Sequence, residues 1–143
     1  MPHQHLQNLA QHDHWLVRAG VASNPRCPVD TLNLLWQDPD QTVRQRVAEH
    51  PQCPSRVLRQ LATDRRWTVR QRVAEHPQCP PALLSKLATD QHWIIRRAVA
   101  EHPKCTGRVL RHLLADHNEE VQNGAKNNSN LPDEYRQLLR LVR

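Results

Sequence analysis

Phenylalanine is absent from the 143 residues, and the chain holds one tyrosine and three glycines. A core without phenylalanine has to be built from Leu, Val, Ile and Ala. With glycine confined to Gly20, Gly107 and Gly124, there is no glycine-rich loop to cradle a phosphate. No stretch approaches the roughly 20 apolar residues of a membrane span. The opening Met1-Pro2-His3-Gln4-His5 lacks the charged and apolar regions of a secretion signal. A soluble, cytoplasmic protein is therefore expected. No strand pattern is evident, so a Ser-His-Asp arrangement following a strand has no place to form. We expect no catalytic residue, no cofactor and no enzymatic activity.

What is present is a period. Cys27, Cys53, Cys79 and Cys105 stand 26 residues apart, and the same step joins Pro28, Pro54 and Pro80, as well as Leu9, Leu35, Leu61, Leu87 and Leu113. A fixed period of this size marks a solenoid whose units bury their apolar sides against their neighbours. The chain reads as a single repeat domain, 1–143, with five units starting near 1, 27, 53, 79 and 105 and a half-repeat over 131–143. Equivalent cysteines in successive repeats are set apart by a helix diameter, about 8–10 Å, too far for a disulfide. Free thiols suit a reducing compartment.

Each unit reads as two short helices. In the unit from 53, the spacing places Pro54 at the first position of one helix, with Val57, Leu58, Leu61 and Ala62 on its apolar face. Asp64 is expected to cap the next helix, whose stripe is Val69, Val73 and Ala74 and which His76-Pro77 ends. Asp38, and Asp116 with Glu119, are expected to cap in the same way. A last helix is expected from Pro132 to about Val142.

The arginines Arg18, Arg44, Arg70 and Arg96 repeat beside the apolar stripe and have to be weighed as phosphate ligands. Pairing each with the aspartate of the next repeat explains more: Arg18 with Asp38, Arg44 with Asp64, Arg70 with Asp90, Arg96 with Asp116. The exceptions fit. His12 takes the aspartate slot where no earlier arginine exists, and Gln122 takes the arginine slot where no later aspartate exists. Pairing inside one repeat strands Arg18 and Asp116. A structural ladder between repeats is the expectation.

His-Pro-x-Cys recurs at His50–Cys53, His76–Cys79 and His102–Cys105. His and Cys ligate zinc, but one repeat supplies only two ligands. Asn24 and Leu131 replace them at the ends, and a slot that accepts Leu is apolar. Buried thiols and no metal are expected. Trp15, Trp67 and Trp93 share one position, filled elsewhere by Gln41 and Glu119, so partial exposure is expected; Trp36 aligns with Ala62 and Ala88 and is expected in the core.

Net charge is +6, and it is uneven. Residues 53–78 carry six arginines against Asp64 and Glu75, whereas 27–52 are net acidic. Arg46–Glu49, Arg72–Glu75 and Arg97–Glu101 are helix-neighbour pairs. Setting those and the ladder aside leaves Arg56, Arg59, Arg65, Arg66 and Lys86, which with Trp67 and Trp93 are the candidate partner-binding residues.

The element Arg-Gln-Arg-Val-Ala-Glu-His-Pro-Gln-Cys-Pro at 44–54 and 70–80, followed by Leu-x-x-Leu-Ala-x-Asp, resembles the leucine-rich repeat variant family. The resemblance implies an all-α, right-handed superhelical solenoid of 26-residue two-helix repeats, with alternating α and 3₁₀ helices; α/α pairs of the HEAT type are the nearest general analogy. Some members carry an iron–sulfur domain with clustered cysteines. The one-per-repeat cysteines here do not match it, and no cluster is expected. The resemblance brings no agreed activity. The leading expectation is a non-enzymatic interaction module, a scaffold that binds another protein. The alternative is binding of a nucleic-acid phosphate backbone through the basic central repeats, with no membrane role.

Overall fold

The computed structural model describes residues 2–142, so the expected domain limits, 1 and 143, lie outside the described residues. Eleven α-helices and no strand occur among them. The chain divides into two compact units, Met1–Gln78 and Cys79–Arg143.

The first unit holds α1 (His3–Leu9), α2 (Trp15–Ser23), α3 (Val29–Leu35), α4 (Gln41–Glu49), α5 (Ser55–Leu61) and α6 (Trp67–Glu75). Seven-residue helices alternate with nine-residue ones. The longer helices stack side by side, α2 on α4 and α4 on α6, and each short helix leans on its long neighbours. The core follows the 3.6-residue stripe: Leu32 and Leu35, then Val57, Leu58 and Leu61, face Val43, Val47, Ala48, Val69, Val73 and Ala74, all buried. The second unit repeats the pattern with α7 (Pro81–Leu87), α8 (Trp93–Glu101), α9 (Gly107–Leu113) and α10 (Glu119–Asn127), α8 on α10, and closes with α11 (Asp133–Leu141). Isolated helices of this length are marginal in water, so their stability comes from this packing.

Two local expectations are corrected, and one alternative is resolved. Pro54 stands one residue outside its helix, as the N-cap with extended backbone, and Pro28, Pro80 and Pro132 do the same. The prolyl ring suits that extended conformation, and its carbonyl accepts the first helical bond, as from Leu58 N at 3.0 Å. The aspartates are not the helix caps. They sit two residues earlier, and Asp40, Arg66, His92 and Asn118 occupy the N-cap positions. Asp40 caps in the ordinary way, accepting from Thr42 and Val43, whereas Arg66 has no capping side-chain bond. Finally, both helices of each repeat are α-helical among the described residues. Bonds of the tighter 3₁₀ type occur in the turns, such as Asp64 N to Leu61 O at 3.1 Å, so of the two expected pairings, α/3₁₀ and α/α, these repeats adopt α/α.

Candidate interaction surfaces

The residues that look most like chemistry in the sequence are occupied in joining repeats. Arg18 donates from Nε to Asp38 Oδ2 at 2.7 Å and from Nη2 to Asp38 Oδ1 at 3.1 Å. Arg44 and Asp64 make the same fork at 2.7 and 3.3 Å, as do Arg96 and Asp116 at 2.7 and 3.1 Å. These bidentate, charge-assisted pairs are part-buried, and of their residues only Asp38 and Arg44 are buried; geometry of this quality offsets the desolvation. Arg70 and Asp90 belong to different units: within its own unit Arg70 donates to Asp64 O, and Asp90 accepts from His92 N.

Each arginine has a second task that the spacing does not reveal. Its Nη1 reaches back into its own repeat to the carbonyl of the aspartate position, as Arg44 does to Asp38 O at 2.8 Å and Pro39 O at 3.1 Å. The guanidinium thus closes the turn before its own helix while it binds the next repeat. Gln122, in the last such slot, keeps only this second task, donating to Asp116 O. Burial pushes the Asp116 carboxyl up, but hydrogen bonds from Arg96 and the Asn118 N–H outweigh it and hold it below its ordinary value.

The histidines form a second ladder that the sequence reading missed. His50 Nε2 lies 2.9 Å from Asn24 O, and His76 Nε2 lies 2.8 Å from His50 O, each 26 residues back. Their Nδ1 atoms accept from Gln52 N at 3.1 Å and Gln78 N at 3.0 Å. An Nδ1 that accepts leaves the proton on Nε2, so these buried rings are neutral donors to a carbonyl. Asn128 closes the series with the same two functions. Its Nδ2 donates to Ala100 O and His102 O, and its Oδ1 accepts from Asn130 N. The signal was present: Asn24, His50, His76, His102 and Asn128 share one position, and only an amide replaces the imidazole.

The four cysteines are free and buried. Burial pushes their thiols up to about 11 at Cys27, Cys79 and Cys105 and to about 12 at Cys53. At pH 8 we expect no reaction of the folded chain with a thiol-disulfide reagent, and release of all four equivalents after unfolding in guanidinium. A fast-reacting thiol in the folded chain would show that a corner is open. Among the described residues, no three His, Cys, Asp or Glu side chains form a group able to hold a metal ion. No helix among them is long and apolar enough to cross a membrane.

The candidate partner-binding residues fall in both units. In the first, Arg56 and Arg59 are exposed on α5, and Arg65 and Arg66 on the turn that follows. Arg56 donates to Asn33 Oδ1 at 2.6 Å, whereas Arg59, Arg65 and Arg66 have no side-chain partner among the described residues. Trp67, at the first turn of α6, is 38% exposed, and Trp15 is 40% exposed. Trp36 is half-buried, not a core residue. It lines a cavity of about 430 Å³ with Gln37, Pro39, Gln60 and Arg65, because the turn beside it leaves one side uncovered. In the second unit Lys86 is exposed on α7 and Trp93 half-buried at the start of α8. The helix-face arginines are countered: Arg46 by Glu49, Arg72 by Glu49 and Glu75, and Arg97 by Glu101 and Glu120.

The family model described as leucine rich repeat variant matches residues 15–40, 42–66 and 67–92, more than half of the chain. A solved leucine-rich repeat variant, described as having a novel repetitive protein structural motif, is similar at 27% identity and a TM-score of 0.47, over 90% of this chain and 62% of that one. The chain therefore spans about three fifths of the length of that relative. An engineered protein is similar in fold, with 16% identity and a TM-score of 0.53 over 86% of this chain and 76% of its own. No curated protein matches the chain. Arginine–aspartate forks, imidazole–carbonyl bonds and buried thiols recurring at one period agree with the three matched repeats, and the chain belongs to the leucine-rich repeat variant family.

Proposed function

We propose that this chain is a non-catalytic module that binds another protein. The observation that supports this reading is the commitment of its reactive side chains. Arg18, Arg44 and Arg96 with their aspartates, the His50 and His76 imidazoles and the thiols are all buried or bonded between repeats, which leaves recognition to the exposed remainder. That remainder mixes apolar and cationic groups. Leu34 is 68% exposed and Leu16 60%, in the same unit as Trp15, Trp67 and the unpartnered Arg59, Arg65 and Arg66. Exposed aromatic and arginine side chains are the common anchors of protein interfaces. The free thiols suit a reducing, cytoplasmic setting.

A second reading, binding of nucleic acid, draws support from Arg56, Arg59, Arg65 and Arg66 on one helix and its following turn. Against it, the arginines of the long-helix face are neutralised by glutamates, so a continuous cationic track is missing there. Titration with labelled single- and double-stranded DNA and RNA at low and physiological salt, followed by tryptophan fluorescence, separates the two. We expect no saturable binding at physiological salt. Binding whose logarithm falls steeply with that of salt, and whose slope shrinks in Arg65→Ala/Arg66→Ala, reverses the order of the readings.

A further inference from the structure

The short helices α3 and α5 of the first unit and α7 and α9 of the second occupy the same repeat positions, yet they meet differently. Between α3 and α5, Asn33 accepts a hydrogen bond from Arg56, and Trp36 stands at the end of α3. The equivalent residues of the second unit are Ser85, Arg108 and Ala88. Serine is too short to repeat the clasp, and Arg108 is exposed with no side-chain partner among the described residues. Between α7 and α9 lies a groove of about 610 Å³, lined by Ala82, Ser85, Ala88 and Val109 together with Arg108 and His112. No acidic residue lines it, and neither α7 nor α9 contains one. The other cations of these two helices are Lys86 and Arg111, the latter over the Tyr135 ring at 6.0 Å.

We propose that this groove receives an acidic segment of a partner protein, with a carboxylate in the Arg108 fork and an apolar side chain seated over Ala82, Ala88 and Val109. The proposal rests on the protein-binding reading above and names the chemistry of the partner. Charge complementarity sets the sign: the one charged side chain lining the groove is the Arg108 guanidinium, which faces a segment that supplies an anion. The planar guanidinium matches a carboxylate bidentately. The volume is that of a pocket for a few side chains. A single free arginine beside an apolar floor suits a peptide better than a phosphate backbone, which draws on a row of cations.

The test uses the full chain and four labelled probes: a Glu/Leu peptide, the same peptide with Lys for Glu, the same with Ser for Leu, and single-stranded DNA. We expect the Glu/Leu peptide to bind and the Lys and Ser versions to fail. Ser85→Asn installs the residue the array itself uses at this position, so it is expected to keep the fold, engage Arg108 and weaken the peptide about tenfold. Arg108→Glu should abolish binding, and Arg56→Glu in the other unit should leave it unchanged, with circular dichroism reporting the fold of each. Peptide binding undiminished in both groove variants overturns the groove while the protein-binding reading stands. Binding of DNA without binding of peptide overturns both.

Discussion

Asp64→Ala lowers stability by about 3–5 kcal/mol, measured by guanidinium unfolding, a loss characteristic of breaking a buried ion pair on one side. The physical cause is the partner left behind. Arg44 is buried and already holds two carbonyls of its own repeat, so it is not free to swing into water when the carboxylate is removed. The same change strips the Arg66 N–H of its acceptor. The double variant Arg44→Gln/Asp64→Asn should recover most of the loss. Gln122 shows that a glutamine in this slot serves the turn carbonyl without a counter-charge. A loss in Asp64→Ala below about 1 kcal/mol would place the rung among solvent-screened surface pairs. The pH dependence of the second unit should carry the same signature. Because Asp116 is held below its ordinary value of 3.8 when folded, its rung contributes fully above that pH and is lost as pH falls through the depressed value. Asp116→Asn should remove part of that acid limb.

His50→Ala is the second large effect, about 2–4 kcal/mol, from the unmade bonds of the Asn24 carbonyl and the Gln52 N–H together with the cavity left by the ring. His50→Asn should restore much of it, since Asn128 shows that an amide in this slot both donates to earlier carbonyls and accepts the N–H two residues on. His50→Leu, of similar bulk but without polar atoms, should resemble alanine. The comparison of Asn with Leu separates hydrogen bonding from volume: equal losses would assign the ring a packing role alone. Because each repeat touches only its neighbours, both single changes should also broaden the unfolding transition, which unfolding followed at the tryptophans and by circular dichroism would detect as non-coincident curves.

Much of the architecture was legible because a tandem repeat turns tertiary contacts into a fixed sequence offset. Arg18, Arg44 and Arg96 could be assigned their aspartates from the ends alone, where Gln122 and His12 stand in slots with no partner. The apolar stripes and the burial of the thiols followed from the same alignment. The caps were misplaced by two residues because aspartate before a helix has two uses, and local sequence does not separate capping a helix from accepting an arginine of another repeat. The histidine ladder was overlooked for a related reason. An imidazole beside a cysteine suggests a ligand set, and only the Asn24 and Asn128 substitutions point toward a carbonyl partner.

By itself the sequence determined the period, the two-helix unit, the all-helical class and the partners of Arg18, Arg44 and Arg96, since each depends on local periodicity or on a step repeated along the chain. Tertiary structure alone decided which ring atom meets which carbonyl, that Arg18, Arg44 and Arg96 each serve two repeats at once, and that α7 and α9 part into a groove where α3 and α5 are clasped. Those outcomes turn on the reach of single side chains across the gap between stacked helices. Serine and asparagine at one repeat position look interchangeable in a sequence, and a difference of one bond length in that gap decides whether an arginine of the next short helix is clasped.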